Sequence, residues 1–199
     1  MNNLNIQLIS ENYVKERSTV MDNVENIFIR NNILLSQDIY LQDIIGSKLY
    51  DDIISQFEDY KTAYDAGTAG IAYSDYVDAN YLTLVDNYIQ PCLLYYTLYE
   101  SSDDLYMKFT NKGIVTQTSD YSNTIGDEMF YKRKAGFLNK AEFYAKRLTN
   151  YLIDNHTTYT KYYESISDYS DNYPNEQSYL SNGWYLKTKG CQFKSNDIF

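Results

Sequence analysis

The chain has 199 residues, a net charge of −10, 44% apolar residues, 24 tyrosines, one histidine and two cysteines. That length fits one domain with an extension, and the apolar share is enough for a real core. The acidic balance argues against a broad nucleic-acid-binding face and against adsorption to anionic membranes, while two cysteines without metal-ligand spacing point to folding in a reducing cytoplasm.

The first 21 residues read as an irregular arm with a short ordered piece about 9–16 and no export signal. Asp22 and Glu25 form a D-x-x-E capping pattern ahead of an apolar periodic run. Val24, Ile27, Phe28, Leu34, Leu35, Leu41, Ile44 and Ile45 recur at helical spacing, which predicts a helix over about 23–44. Gly46 interrupts it, and a second helix follows over about 47–64 with Leu49, Ile53, Phe57 and Tyr64 on one face. Residues 65–77 read as a glycine-containing loop. A third helix, about 78–100, carries Leu82, Val85, Ile89, Cys92, Tyr96 and Tyr99 as one stripe and Leu84, Tyr88 and Leu98 as a second, so it should be central. Pro91 inside it should kink it near Asn87–Gln90.

Residues 101–126 break the helical period. Asn111-Lys112-Gly113 is a turn signal between Phe109 and the β-prone Ile114-Val115. The longest helix, about 127–155, carries Phe130, Phe137, Ala141, Tyr144, Leu148 and Tyr151 as its stripe. Beyond His156 the periodicity fades into a Tyr-, Ser- and Asn-rich tail with the single tryptophan, Trp184. The expected fold is mainly α: a bundle of about four helices over 1–155, a short hairpin and a C-terminal extension over 156–199. Leu34, Leu49, Ile53, Leu82, Val85, Ile89, Cys92, Phe137 and Leu148 are expected in the core. No apolar stretch approaches the roughly 18 residues of a membrane span.

Charge is unevenly placed. Residues 1–126 carry 7 basic and 18 acidic side chains, 127–150 carry 6 and 3, and 151–199 carry 4 and 6. A basic helix (Lys132, Arg133, Lys134, Lys140, Lys146, Arg147) on an acidic body suits self-assembly, because one surface can meet the other on a neighbour. The ordinary alternative is a solvated face.

Catalytic chemistry finds little to work with. His156 sits at a helix end, where a histidine normally meets the last carbonyls. No phosphate-cradling glycine loop and no nucleophile elbow occurs. The neighbours Asp51-Asp52, Glu58-Asp59 and Asp103-Asp104 point about 100° apart on a helix and do not converge on one atom. Cys92 lies on an apolar stripe, and Cys191 has only Lys187 and Lys189 nearby. No enzyme, cofactor or metal site is expected.

Two stretches carry a resemblance. The first is Leu41-Gln-Asp-Ile-Ile-Gly-Ser-Lys-Leu-Tyr50 with Leu84-Val-Asp-Asn-Tyr-Ile-Gln-Pro-Cys-Leu-Leu-Tyr-Tyr-Thr-Leu-Tyr99. The second is Phe109-Thr-Asn-Lys-Gly-Ile-Val115 with Ala141-Glu-Phe-Tyr-Ala-Lys-Arg-Leu148 and Asn182-Gly-Trp184. In this order they resemble the head–tail connector (adaptor, or head-completion) proteins of tailed phages, above all those of phages infecting Bacteroidetes, including the crAss-like group. The resemblance implies a structural virion protein of the phage neck. It implies a ring, usually dodecameric, below the portal protein and beside other neck or tail proteins, with the genome DNA passing through unbound. Phe109, Asn111, Lys112, Gly113, Ile114, Val115, Lys134, Lys140 and Trp184 are the candidate interface residues. The loop at 65–77 and the tail after 155 depart from the compact form. The competing expectation is a monomeric, acidic, Tyr-rich protein-binding module.

Overall fold

The computed structural model describes residues 6–68, 70–110, 113–116 and 126–162. Among them the chain is mainly α.

Helix α1, Glu11–Glu16, starts where the Ser10 hydroxyl accepts the N–H of Tyr13 at 3.1 Å. The arm before it is not peripheral: Ile6, Leu8 and Ile9 are buried. The side-chain amide of Gln37 holds this arm down. Its Oε1 accepts the Leu8 N–H at 2.8 Å and its Nε2 donates to the Ile6 carbonyl at 2.9 Å, so one side chain replaces the two backbone partners a β-ladder would supply.

Helix α2 spans 26–45 as an α-helix Asn26–Ser36, a π turn Gln37–Leu41 and a last turn Gln42–Ile45. The expected D-x-x-E cap does not form. Glu25 itself stands at the N-cap, without a side-chain bond to the helix. The π turn adds a residue to the helical count and shifts the phase of the buried stripe. Before it Ile29, Asn32, Ile33 and Ser36 face inward, while Ile27, Phe28 and Leu35 stand in water. After it Leu41, Ile44 and Ile45 are buried as the spacing predicts.

Gly46 ends α2 at φ 76, ψ 151, a region open in practice only to glycine. It also opens helix α3, Ser47–Asp65, by accepting the Tyr50 N–H at 3.0 Å. A loop with one 3-10 turn, Tyr73–Asp75, leads to helix α4, residues 79–106. Asp78 caps α4 by accepting the Asn80 N–H at 2.7 Å. The proline problem is answered by a second π turn, Val85–Ile89, which loosens the hydrogen-bond ladder directly before Pro91. Helix α4 then runs to Tyr106, past the expected end near 100, with Ser101 turned inward.

Strands β1, Met107–Thr110, and β2, Gly113–Thr116, pair antiparallel with Phe109 opposite Ile114 and Lys108 opposite Val115. Helix α5, Asp127–Asp154, follows. Helix α4 lies at the centre, packed most extensively along α5 and next along α2. One contiguous core joins Ile33 of α2, Ile53 of α3, Leu84, Ile89 and Leu93 of α4, and Ala141, Leu148 and Leu152 of α5. Each large aliphatic side chain so buried contributes roughly 1.5–3 kcal/mol.

Of the residues expected in the core, Leu49, Ile53, Val85, Ile89, Cys92 and Leu148 are buried. Leu34, Leu82 and Phe137 are half-buried. Leu34 is displaced by the phase shift before the π turn, Leu82 lies in the first turn of α4, and Phe137 lies on the rim of a groove. The core also takes in residues just past the expected boundary at 155. The chain turns back after Asn155 and inserts Tyr159 and Tyr162, 1% and 0% exposed, into the same core.

Candidate interaction surface

Helices α4 and α5 meet along a ladder of stacked rings. Tyr88 lies 3.9 Å from Tyr151, Tyr95 5.4 Å from Tyr144 and Tyr106 4.1 Å from Phe130, each pair within 15° of parallel. The order of the pairs reverses along α5 because the two helices are antiparallel. Cations of α5 close over the α4 rings: Arg147 over Tyr88 at 5.1 Å, Lys140 over Tyr95 at 5.3 Å and Lys134 over Tyr99 at 4.4 Å. Each such contact contributes on the order of 0.5–1 kcal/mol at an exposed site. On the other side of α4, Tyr40 stacks on Tyr96 at 4.1 Å and donates to the Glu100 carboxylate at 2.5 Å. Burial first, and then that bond, hold the Tyr40 phenol well above its usual range.

Lys134 is engaged within the chain. Its ammonium pairs with Asp103. Burial pulls its pKa down, but the hydrogen bond and charge of Asp103 outweigh that and raise it. Arg133 is held too, donating to the Thr19 hydroxyl at 2.8 Å. Lys140 keeps its exposed position, above Tyr95. Phe109, Gly113, Ile114 and Val115 fall on the hairpin strands. Asn111, Lys112 and Trp184 lie outside the described residues.

Two further features were not foreseen. Phe143 is 65% exposed on α5, next to Tyr144 but off the buried stripe. Its signal was its spacing of three and four from Lys140, Lys146 and Arg147. The other feature is a cluster of rings where α3 meets the following loop. Tyr60 stacks on Tyr73 at 4.1 Å, with Tyr64 6.2 Å and Tyr76 6.1 Å from Tyr60, and Tyr64 and Tyr73 are more than half exposed. Residues 57–78 carry five carboxylates against the single Lys61.

A groove of about 410 Å³ opens beside the base of the hairpin, lined by Val20, Val24, Leu98, Leu105, Phe130 and Phe137 among others. Among the described residues, no group of three His, Cys, Asp or Glu is placed to hold a metal ion, and no helix is long and apolar enough to cross a membrane. His156 is exposed with Nδ1 3.3 Å from the Ile153 carbonyl. Cys92 is fully buried, and burial pushes its thiol far up, away from the reactive thiolate.

No curated protein and no solved structure matches the chain. The model of a family of unknown function, DUF6712, matches residues 41–172, from the end of the first π turn through α5 and beyond the buried Tyr159 and Tyr162. That span is about two thirds of the sequence, and the chain belongs to the DUF6712 family.

Proposed function

We propose that this protein is a structural subunit of a tailed-phage virion, assembling as a ring in the neck below the portal, with the genome passing through the ring. The observation that carries the reading is the amount of large apolar surface left in water on every long helix. Examples are Ile27 and Ile39 on α2, Tyr64 on α3, Leu105 on α4, and Met129 and Phe143 on α5. A subunit covered by neighbours on several sides would bury such surface at each contact. The acidic charge of −10 suits a channel through which phosphates must slide without being held. The sequence resemblance to connector proteins supports the position proposed for it in the particle.

The test is assembly. Light scattering and negative-stain images of the full-length chain, alone and mixed with purified portal rings, should show closed rings. A chain that stays monomeric at low salt and high concentration and ignores the portal overturns the reading. A second reading, a monomeric protein-binding module, is favoured by the apolar groove beside the hairpin. It predicts a stable monomer that captures a helix or strand of another protein there.

A further inference from the structure

Helix α5 turns a face to solvent that nothing in the described chain covers. Phe143 stands at its middle, 65% exposed. Lys140, Lys146 and Arg147 surround it at spacings of three and four, and Lys132 extends the same face toward the helix start. The ridge through Lys132, Gly136, Asn139, Phe143, Lys146 and Asn150 carries no acid. Gly136 is the odd member. A Cβ built there meets no atom within 4 Å among the described residues, so none of them demands a glycine, and glycine in the interior of a long helix weakens it. A second backbone or a bulky ring arriving from outside would account for it.

The second surface is the ring cluster of α3 and its loop. Tyr60, Tyr64, Tyr73 and Tyr76 lie together, and Asp59, Asp65 and Asp75 are exposed around them. The two surfaces are opposite in charge and alike in carrying exposed aromatic area. They belong to helices that do not pack along one another.

We infer that the outward face of α5 docks on the 57–78 tyrosine–carboxylate cluster of a second copy, Phe143 against its rings and the flanking cations against its carboxylates. Because two different patches meet, the contact is heterologous. It repeats from copy to copy and closes into a ring where the rotation allows. Charge complementarity favours a second copy as the occupant: four cations on a chain of net −10 are few for a nucleic-acid face, but they match the carboxylates the chain itself presents. The inference rests on the ring reading above and assigns its interface.

The test uses the full-length chain under whichever condition gives wild-type rings. Lys146→Glu and Asp65→Lys should each weaken association at least about tenfold, and the doubly reversed chain should recover most of it, because a charge swap restores the pair. Gly136→Leu should raise the Tm of the protomer while weakening assembly, which a purely intramolecular role for this face would not produce. Phe143→Ser should weaken assembly with the circular dichroism unchanged. Rings that form normally with Lys146→Glu or Phe143→Ser overturn this interface and leave the ring reading standing. Loss of duplex-DNA binding in Lys146→Glu, with assembly intact, overturns it in favour of a nucleic-acid face. A wild-type chain that never associates, alone or on the portal, removes both the ring and the interface.

Discussion

Tyr159 donates its phenolic hydrogen to the main-chain carbonyl of Asn80, 2.9 Å away and 79 positions earlier in the chain. The ring is 1% exposed, stacked 6.2 Å from Tyr81 and tilted 5.8 Å from Tyr151. Lys161 adds an ion pair to Asp52 at 2.5 Å. The segment after α5 thus straps the starts of α3 and α4 together. Tyr159→Ala should cost about 3–5 kcal/mol, as for other large buried aromatics, while Tyr159→Phe, which loses only the hydroxyl's bonds to the Asn80 carbonyl and the Tyr151 hydroxyl, should cost about 1–2 kcal/mol. Urea denaturation of both variants checks the pair of values.

Gln37 should matter more than its place in a helix suggests. Gln37→Leu keeps most of the volume but strands the Leu8 N–H and the Ile6 carbonyl in a buried setting, at about 1–3 kcal/mol for each group left unpaired. Amide hydrogen exchange at Leu8 should accelerate well before the helices open. Unchanged exchange there would show that the arm is held by its apolar side chains alone.

At Gly46 the backbone sits at φ 76, ψ 151. Gly46→Ala forces a Cβ into that region and should destabilise the protein by about 1–3 kcal/mol. Thermal unfolding followed by circular dichroism reads the loss. Gly67, also at positive φ but with open space around it, serves as a milder comparison.

Alkaline pH should unfold the protein earlier than lysine titration alone would suggest. Burial pushes the Tyr50 phenol from 10 up to about 12, and Tyr40 and Tyr159 are raised for the same first cause. A raised folded-state pKa means the folded chain keeps its proton after the unfolded chain has lost it. The stabilisation is therefore complete below pH 10 and is lost as pH rises from about 10 through 12. Stability measured across that range should fall while the phenolate absorbance of these rings lags behind that of the exposed tyrosines. Tyr50→Phe should flatten part of the fall.

The helices were legible because their apolar spacing is long and regular. The segments predicted at 23–44, 47–64, 78–100 and 127–155 lie within a few residues of α2, α3, α4 and α5 at their starts, and at most of their ends. What the spacing missed follows from local physics. A π turn at Gln37–Leu41 has no proline or glycine to announce it, so Ile27, Phe28 and Leu35 were read onto the buried face that Ile29 and Ile33 occupy. Pro91 pointed to an irregularity near Asn87–Gln90 but not to its form, a π turn over Val85–Ile89. The early end given to α4 came from Ser101, Ser102, Asp103 and Asp104, polar residues that look like a break. In the fold Ser101 faces inward, the Ser102 hydroxyl donates to the Leu98 carbonyl at 2.6 Å, and Asp103 pairs with Lys134.

The basic helix was legible as a charge run, but its division was not. Sequence alone does not say that Lys134 turns in to Asp103 while Lys146 stays out, because the two differ only by which side of α5 they occupy relative to α4. Phe143 escaped notice beside Tyr144 because a pair of adjacent aromatics reads as one apolar step, although the two point about 100° apart.

The strap formed by Tyr159, Tyr162 and Lys161 has a consequence for how the chain acquires its shape. Its contacts reach back to Asn80 and Asp52, and Arg133 reaches Thr19 across 114 positions. Contacts of such sequence separation slow the folding transition relative to a bundle of neighbouring hairpins. During synthesis, at about 5–20 residues per second, Leu84, Ile89 and Leu93 must wait several seconds for α5 and the strap to emerge and cover them. The nascent protein therefore spends that interval as a sticky half-bundle. Its dependence on chaperones should be set by how fast the region from 127 to 162 is translated.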